Sequence, residues 1–350
     1  MEEVQVGAGT AGGTGEAQVG GGAGRSAAQT GARLEGCWIT YLGSAYGVLK
    51  AAGLTDCTLT EFAGMTGIAF HLIMHSNCNA ASVTVYDWVG VHRIALDRIG
   101  VLSEVYHYEP GENTYEAARH RAVPVIRASI DRGIGVIAWG IDNGEFGVIY
   151  GYDDEDGVFF VDGVDKFNRP LGSDPMLYEN IALKFPPAPF LHYQVPLERV
   201  AFDREQAYQN SLRLYVQEMD KTFHMAPDFH SGFLAYDRWI DALEDGCYDP
   251  FGLRYSTTVY AEAKMFAAEY VRQLAGWGGL PGLADVADRF DRIARLYGSM
   301  MTDKLQQDWN GAQHLGKPVA AEQARSLIPL LREAKTLEAE SVRILKESLR

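Results

Sequence analysis

Apolar positions recur along this chain at two spacings, and the change between them falls near residue 200. In the first part, residues 37–52 put apolar and small side chains at helical spacing, with Gly36 opening the helix. Residues 60–75 predict a second helix, interrupted near the Gly64–Gly67 run "GMTG". Residues 81–100 predict a third, carrying Val89, His92, Ile94, Leu96 and Ile99, with Gly100 at its C-cap. "VLSEVYHYE" reads as a strand and "AVPVIRASIDRG" as a short helix ending at Gly133.

Three strands follow, over 134–140, 146–152 and 158–162, joined by the turns "DNGE" and "DDEDG". Strands so close in sequence must pair antiparallel, because a parallel crossover needs about a dozen residues or more. Residues 166–196 are Pro-rich and read as an irregular segment wrapping the sheet. Beyond it, residues 204–222, 230–245, 256–276, 283–310 and 320–348 predict five amphipathic helices. The pattern gives an α+β unit over 33–200 followed by an all-α helical domain over 201–350. Residues 1–32 are Gly- and Ala-rich without periodicity, and are expected to be a disordered tail rather than a signal peptide.

Charge narrows the function classes. The formal net charge is −15 and no basic run occurs, which argues against nucleic-acid partners. No apolar stretch approaches the ~20 residues of a membrane span. The four cysteines, at 37, 57, 78 and 247, are scattered and are expected to be reduced thiols of a cytoplasmic protein.

Chemistry concentrates on a few side chains. Cys37 stands where a helix begins, and the positive end of a helix favours a thiolate nucleophile. The alternative is a structural cysteine in a helix rich in small residues. His71 and His75, in "HLIMH", are expected four apart on one helical face, either as candidate bases reaching Cys37 or as a metal half-site. With no further ligand in the pattern, no metal and no cofactor are expected. "YDDEDG" is too short for a calcium loop and reads as an acidic turn. Tyr86, Trp88, Trp139, Tyr150 and Tyr152 line either a cleft or a core.

The "GCW" at 36–38, the Cys37 helix, "GMTGIAF" and "RGIGVIAWG…GEFGVIYGYDDEDGVFFVDG" together resemble a papain-like family. It comprises the N-terminal domain of butirosin biosynthesis protein H proteins, related to bacteriocin-processing double-glycine peptidases. "SGFLAYDRWIDALED" and "FAAEYVRQLAG" resemble the helical domain of unknown function that often follows it. The resemblance implies a papain-like cysteine proteinase fold, with a helix bearing the cysteine packed on an antiparallel sheet. It implies thiol-dependent acyl transfer from a carrier-protein thioester to an amine, or amide cleavage.

It places the nucleophile on Cys37 and the orienting acid on Asp162. Where the family has its basic histidine this chain has Glu145 and Phe146, and its oxyanion glutamine corresponds to Gly31. Glu145 is a substitute base if burial raises its pKa. Three functional readings follow: a thiol-dependent enzyme using Cys37, a catalytically inactive papain-like module that binds a peptide, a carrier protein or a small amide, or an interaction protein whose helical half does the work. A homodimer is compatible with each.

Overall fold

Two glycines decide how the chain enters its first long helix. A Cβ on Gly43 would lie 2.1 Å from the Glu35 carbonyl oxygen and 2.9 Å from Cys37 Sγ. One on Gly47 would lie 1.8 Å from the Arg33 carbonyl oxygen. Residues 33–37 therefore run flat across the helix, and the Glu35 amide donates to the Gly43 carbonyl at 3.2 Å. The small residues in this helix serve close backbone approach.

The computed structural model describes residues 26–141, 144–164, 174–183, 188–221, 226–309 and 314–350. In chain order the strands are β1 Ala27–Gln29, β2 Ile73–His75, β3 Val101–Tyr108, β4 Val136–Trp139, β5 Phe146–Asp153, β6 Val158–Asp162, β7 Met176–Leu177, β8 Leu191–Arg199 and β9 Phe229–Ser231. The helices are α1 Thr40–Ala51, α2 Leu59–Thr66, α3 Trp88–Asp97, α4 Tyr115–Asp131, α5 Arg204–Met219, α6 Gly232–Asp245, α7 Pro250–Trp277, α8 Leu283–Ser299 and α9 Ala321–Ser348.

The chain is a mixed α+β structure. Its main sheet runs β3-β8-β4-β5-β6-β7, with β1 beside the C-terminal half of β5, and every pair is antiparallel. One face of the sheet packs on α4 through Tyr115, Ile126 and Ile130. The other faces α1. The core on that side continues across residue 200: Leu42, Phe62 and Trp139 share one buried cluster with Tyr215, Trp239 and Tyr270. β2 from the first part also pairs with β9 from the second, Ile73 opposite Ser231. The boundary near 200 is thus a change of element type, not a break in the core.

Five expectations need correction. Residues 26–32 are not tail: β1 pairs with β5, and Ala32 is buried; residues 1–25 lie outside the described residues. The expected helix over 60–75 ends at Thr66, where Gly67 turns left-handed at φ 83° and the chain extends into β2. The irregular stretch hides β8, which lies between β3 and β4. Pro196 lies beyond the β4 pairing and, on the β3 side, opposite Ser103 at a register shift, where a proline is tolerated. α4 begins at Tyr115, ahead of the short helix expected from Ala122, and passes through Pro124. Finally, α1 begins at Thr40, so Cys37 precedes the helix rather than opening it. The "DNGE" turn includes residues 142–143, outside the described residues. "DDEDG" does form a turn, with Asp153 Oδ1 accepting from the Glu155 amide at 2.9 Å.

Gly47→Ala tests the close approach. In an open helix site alanine stabilises by roughly 0.5–1 kcal/mol over glycine, as expected at Gly298, where an added Cβ meets nothing within 4 Å. At Gly47 the sign should reverse, to a loss of about 1–3 kcal/mol. Chemical denaturation of both variants measures this; a stabilised Gly47→Ala would contradict the packing described.

Candidate functional site

Cys37 lies in the seam between the sheet and helix α7. Its thiol is buried and donates to the Ile39 carbonyl at 3.1 Å. Glu262, from α7, reaches across the seam. Its Oε2 accepts from the Trp38 amide at 2.7 Å and the Ile39 amide at 3.1 Å. These amides stand just before α1 and are taken up by this side-chain carboxylate. Burial and the Glu262 charge push the Cys37 thiol well up, the opposite of thiolate activation. Burial also raises Glu262, to about 7, against its two amide hydrogen bonds. A cavity of about 320 Å³ beside the thiol is lined by Gly36, Trp38, Glu262, Met265 and Trp309.

Asp162 stands at the end of β6 and accepts from the Leu34 amide at 2.9 Å, so it fixes the strand-like approach to Cys37. Phe146, in the place of the family histidine, is buried and packs edge-on to Tyr41 at 5.3 Å. His71 and His75 do not share a helical face. His75 is on β2, its Nδ1 2.5 Å from Asn77 Oδ1. His71 lies just ahead of β2, with Nδ1 3.1 Å from Glu218 Oε2. The metal half-site is not formed, and among the described residues no group of three or more His, Cys, Asp or Glu could hold a metal ion.

Glu145 sits on the other side of Trp38. Thr40 Oγ1 donates to its Oε2 at 2.7 Å, and the Tyr255 hydroxyl donates to its Oε1. Tyr255 packs edge-on to Trp38, the residue after Cys37, at 6.2 Å. Burial raises Glu145 to about 7, partly offset by the two hydroxyls. It lies on the wall of a cavity of about 860 Å³. Trp88, Trp139, Phe190, Phe251, Tyr86 and Tyr255 supply the aromatic surface. Asp87, Glu109 and Glu145 supply three carboxyls, and no Lys or Arg is among the described lining residues. Of the aromatics singled out in the sequence, Tyr86, Trp88 and Trp139 line this cavity, whereas Tyr152 is core.

A row of imidazoles runs behind the aromatic wall. Tyr86 Oη is 3.0 Å from His92 Nε2, His92 Nδ1 is 3.0 Å from His192 Nε2, and His192 Nδ1 is 3.2 Å from His107 Nδ1. His107 Nε2 then faces Glu109 Oε1 at 3.7 Å. Each neutral imidazole has one donor and one acceptor nitrogen. The protons of a neutral row therefore order head to tail in one of two senses, from Tyr86 toward His107 or the reverse. Tyr41 stacks on His92 with ring centres 3.6 Å apart and donates to Gln194 Oε1 at 2.8 Å. Burial, then the neighbouring imidazoles, hold His92 well below the usual range and His192 down at about 3.

Glu262, Glu218 and the three histidines were not foreseen as a group. His92 was visible on its helix stripe, but its partners come from β3 and from β8, the strand concealed by prolines. Compared with models of known protein families and with curated proteins, the chain has no match.

These groups fix a pH dependence of stability. His92 and His192 have folded pKa values below the ordinary ~6.5, so unfolding takes up protons and stability falls as pH drops below that value. Glu145 and Glu262 have folded values near 7, above the ordinary ~4.3, so stability falls as pH rises from about 4.3 through 7. Between about pH 4.3 and 6.5 the pairs oppose each other, at up to ~1.4 kcal/mol per pH unit per group. Below that window the histidines act unopposed and Glu218 adds to them. His71 and Lys221 outweigh burial and lower its carboxyl to about 2. Thermal melts from pH 3.5 to 8 should show a plateau near pH 4.5–6.5 with decline on both sides. In Glu145→Gln the decline on the alkaline side should shrink. An unaltered alkaline limb in that variant would exclude Glu145 as its source.

Proposed function

We propose that this chain is a ligand-binding module on a papain-like framework, with a silent cysteine site. Its ligand is a small, largely apolar molecule with a basic nitrogen, held in the aromatic cavity with the nitrogen on Glu145. The carrying observation is the pairing of that buried carboxyl with aromatic faces and two further carboxyls. Aromatic faces attract a cation by about 0.5–2 kcal/mol each when desolvated. A carboxyl raised to about 7 bears its burial cost as an anion until a cation arrives to offset it. The chain's net charge of −15 adds a long-range attraction of the same sign.

Thiol-dependent acyl transfer from a carrier-protein or peptide thioester, implied by the family resemblance, ranks second. Asp162 on the approach to Cys37 favours it. Against it stand the raised thiol and the Glu262 carboxylate on the adjoining amides, which would have to leave before an oxyanion could enter.

Titration calorimetry with 2-phenylethylammonium and 3-phenylpropionate separates the readings. The ammonium probe should bind, more tightly at pH 8 than at pH 6 as Glu145 ionises. The carboxylate probe should not. Glu145→Gln should weaken the ammonium probe by about tenfold or more, the loss of roughly 1.4 kcal/mol of a charge-assisted contact. Cys37→Ser should bind as wild type. Equal binding of both probes would sink the assigned ligand. Turnover of a model acyl thioester, abolished in Cys37→Ser, would restore the enzyme reading.

A further inference from the structure

The cavity that holds Glu145 has a second acidic end. Glu109 follows β3 and lines the same wall, and its side chain is 63% exposed, so it stands at the mouth. The strand order β3-β8-β4-β5 puts three strand spacings between Glu109 and Glu145, which precedes β5. At about 4.8 Å per spacing, their backbones lie roughly 14 Å apart. The register keeps both at one end of the sheet: Tyr108 pairs with Leu191, and the Gly140 amide, just past β4, donates to the Glu145 carbonyl at 2.9 Å.

Aromatic rings fill the interval. Phe190 leads into β8 and Trp139 ends β4, and both line the cavity. Trp88 bridges them, with ring centres 4.7 Å from Trp139 and 6.0 Å from Phe190, and it reaches His107 at 6.0 Å. Both indole N–H groups are already used. Trp88 donates to the Thr84 carbonyl at 2.6 Å and Trp139 to the Ala188 carbonyl at 3.1 Å. The span between the two carboxyls therefore presents ring faces, which suit methylenes.

The carboxyls at its ends are not matched by charge. Glu145 accepts from the hydroxyls of Thr40 and Tyr255, and both donors are neutral. Glu109 Oε1 is 3.7 Å from His107 Nε2, longer than a hydrogen bond. Asp87, which caps α3 through Oδ1, adds a third negative group to the wall beside Trp88. Glu145 is tied to α1 and α7 while Glu109 stays beside His107 on β3, so one ammonium does not serve both. A ligand that answers both ends carries two.

We propose that the cavity takes a linear diamine. One ammonium meets Glu145 inside, the other meets Glu109 at the mouth, and the methylenes between them lie along Trp139, Trp88 and Phe190. This rests on the basic ligand assigned above to the same cavity, and adds a second amine and its separation from the first.

Titration calorimetry at pH 8 compares 1,8-diaminooctane with 8-amino-1-octanol, which has the same chain and a single amine; weak members are read by displacement of the tightest. The pair 1,4-diaminobutane and 4-amino-1-butanol is too short to span the rings. It sets the baseline, which contains the statistical gain of equivalent ends and the general pull of an acidic protein on extra positive charge. The diamine-to-amino-alcohol affinity ratio should be about threefold higher for the long pair, the size of one exposed ion pair. Glu109→Gln should bring the long-pair ratio down to the short-pair ratio. Equal ratios in the wild type, an unchanged long-pair ratio in Glu109→Gln, or its loss in Asp87→Asn alone would overturn the second contact. Binding of 8-amino-1-octanol with equal ratios would leave the single-amine reading standing, whereas failure of every amine to bind would remove both.

Discussion

The Glu262 carboxylate on the Trp38 and Ile39 amides is the constraint on which the two parts of this molecule depend. It is a helix-side group satisfying the sheet side's backbone at a point where no side-chain cap is present on α1. Both amides would lose their side-chain acceptor without it. The same contact holds the Trp38 backbone, and the Trp38 ring packs on Tyr255, which donates to Glu145. One carboxylate thus closes the cysteine side of the seam and shapes the wall of the aromatic side.

This closure rests on small residues. Gly43 and Gly47 let residues 33–37 lie on α1, and only that path brings the Trp38 and Ile39 amides within reach of α7. Farther into the helical part another buried carboxylate plays a comparable structural part. Glu338 takes Lys264 at 2.6 Å and the Tyr236 hydroxyl at 3.3 Å, all inside the core. The seam and the helical core are both specified by ionisable groups with few alternatives, which favours a single arrangement of the elements over a merely greasy one.

Much of the fold could be read from periodicity. The five helices after residue 200 carry 3.6 repeats, and the strands over 134–162 are short apolar runs bounded by turn residues, so local chain geometry leaves them little choice. What escaped depended on distance in sequence. β8 is a central strand, but its prolines imitate a loop, and it takes its place only because β3 and β4 supply edges that accept it. The stretch after Gly67 looked helical because "HLIMH" has two histidines four apart; pairing with β9, more than 150 residues on, makes it a strand. The site was legible in its parts and not in its assembly. Glu145 was marked by its position, and its raised pKa follows from burial. No local pattern carries which carboxylates stand beside Cys37 and His71, namely Glu262 and Glu218.

The row from Tyr86 through His92, His192 and His107 has a consequence of its own. A string of groups with one proton and one lone pair apiece has only two self-consistent polarities, forward and reversed. No ring can turn over alone, because two donors or two lone pairs would then collide at both of its ends. The row therefore behaves as one binary element inserted in a rigid wall. Whatever engages the Tyr86 oxygen at one end selects the polarity, and so selects whether Glu109 at the other end faces a hydrogen or a lone pair. Information crosses the wall without any net charge entering it and without any backbone displacement. The only side chains able to replace a middle ring and keep the sense of the string are those that also offer one donor and one acceptor end, as an amide does.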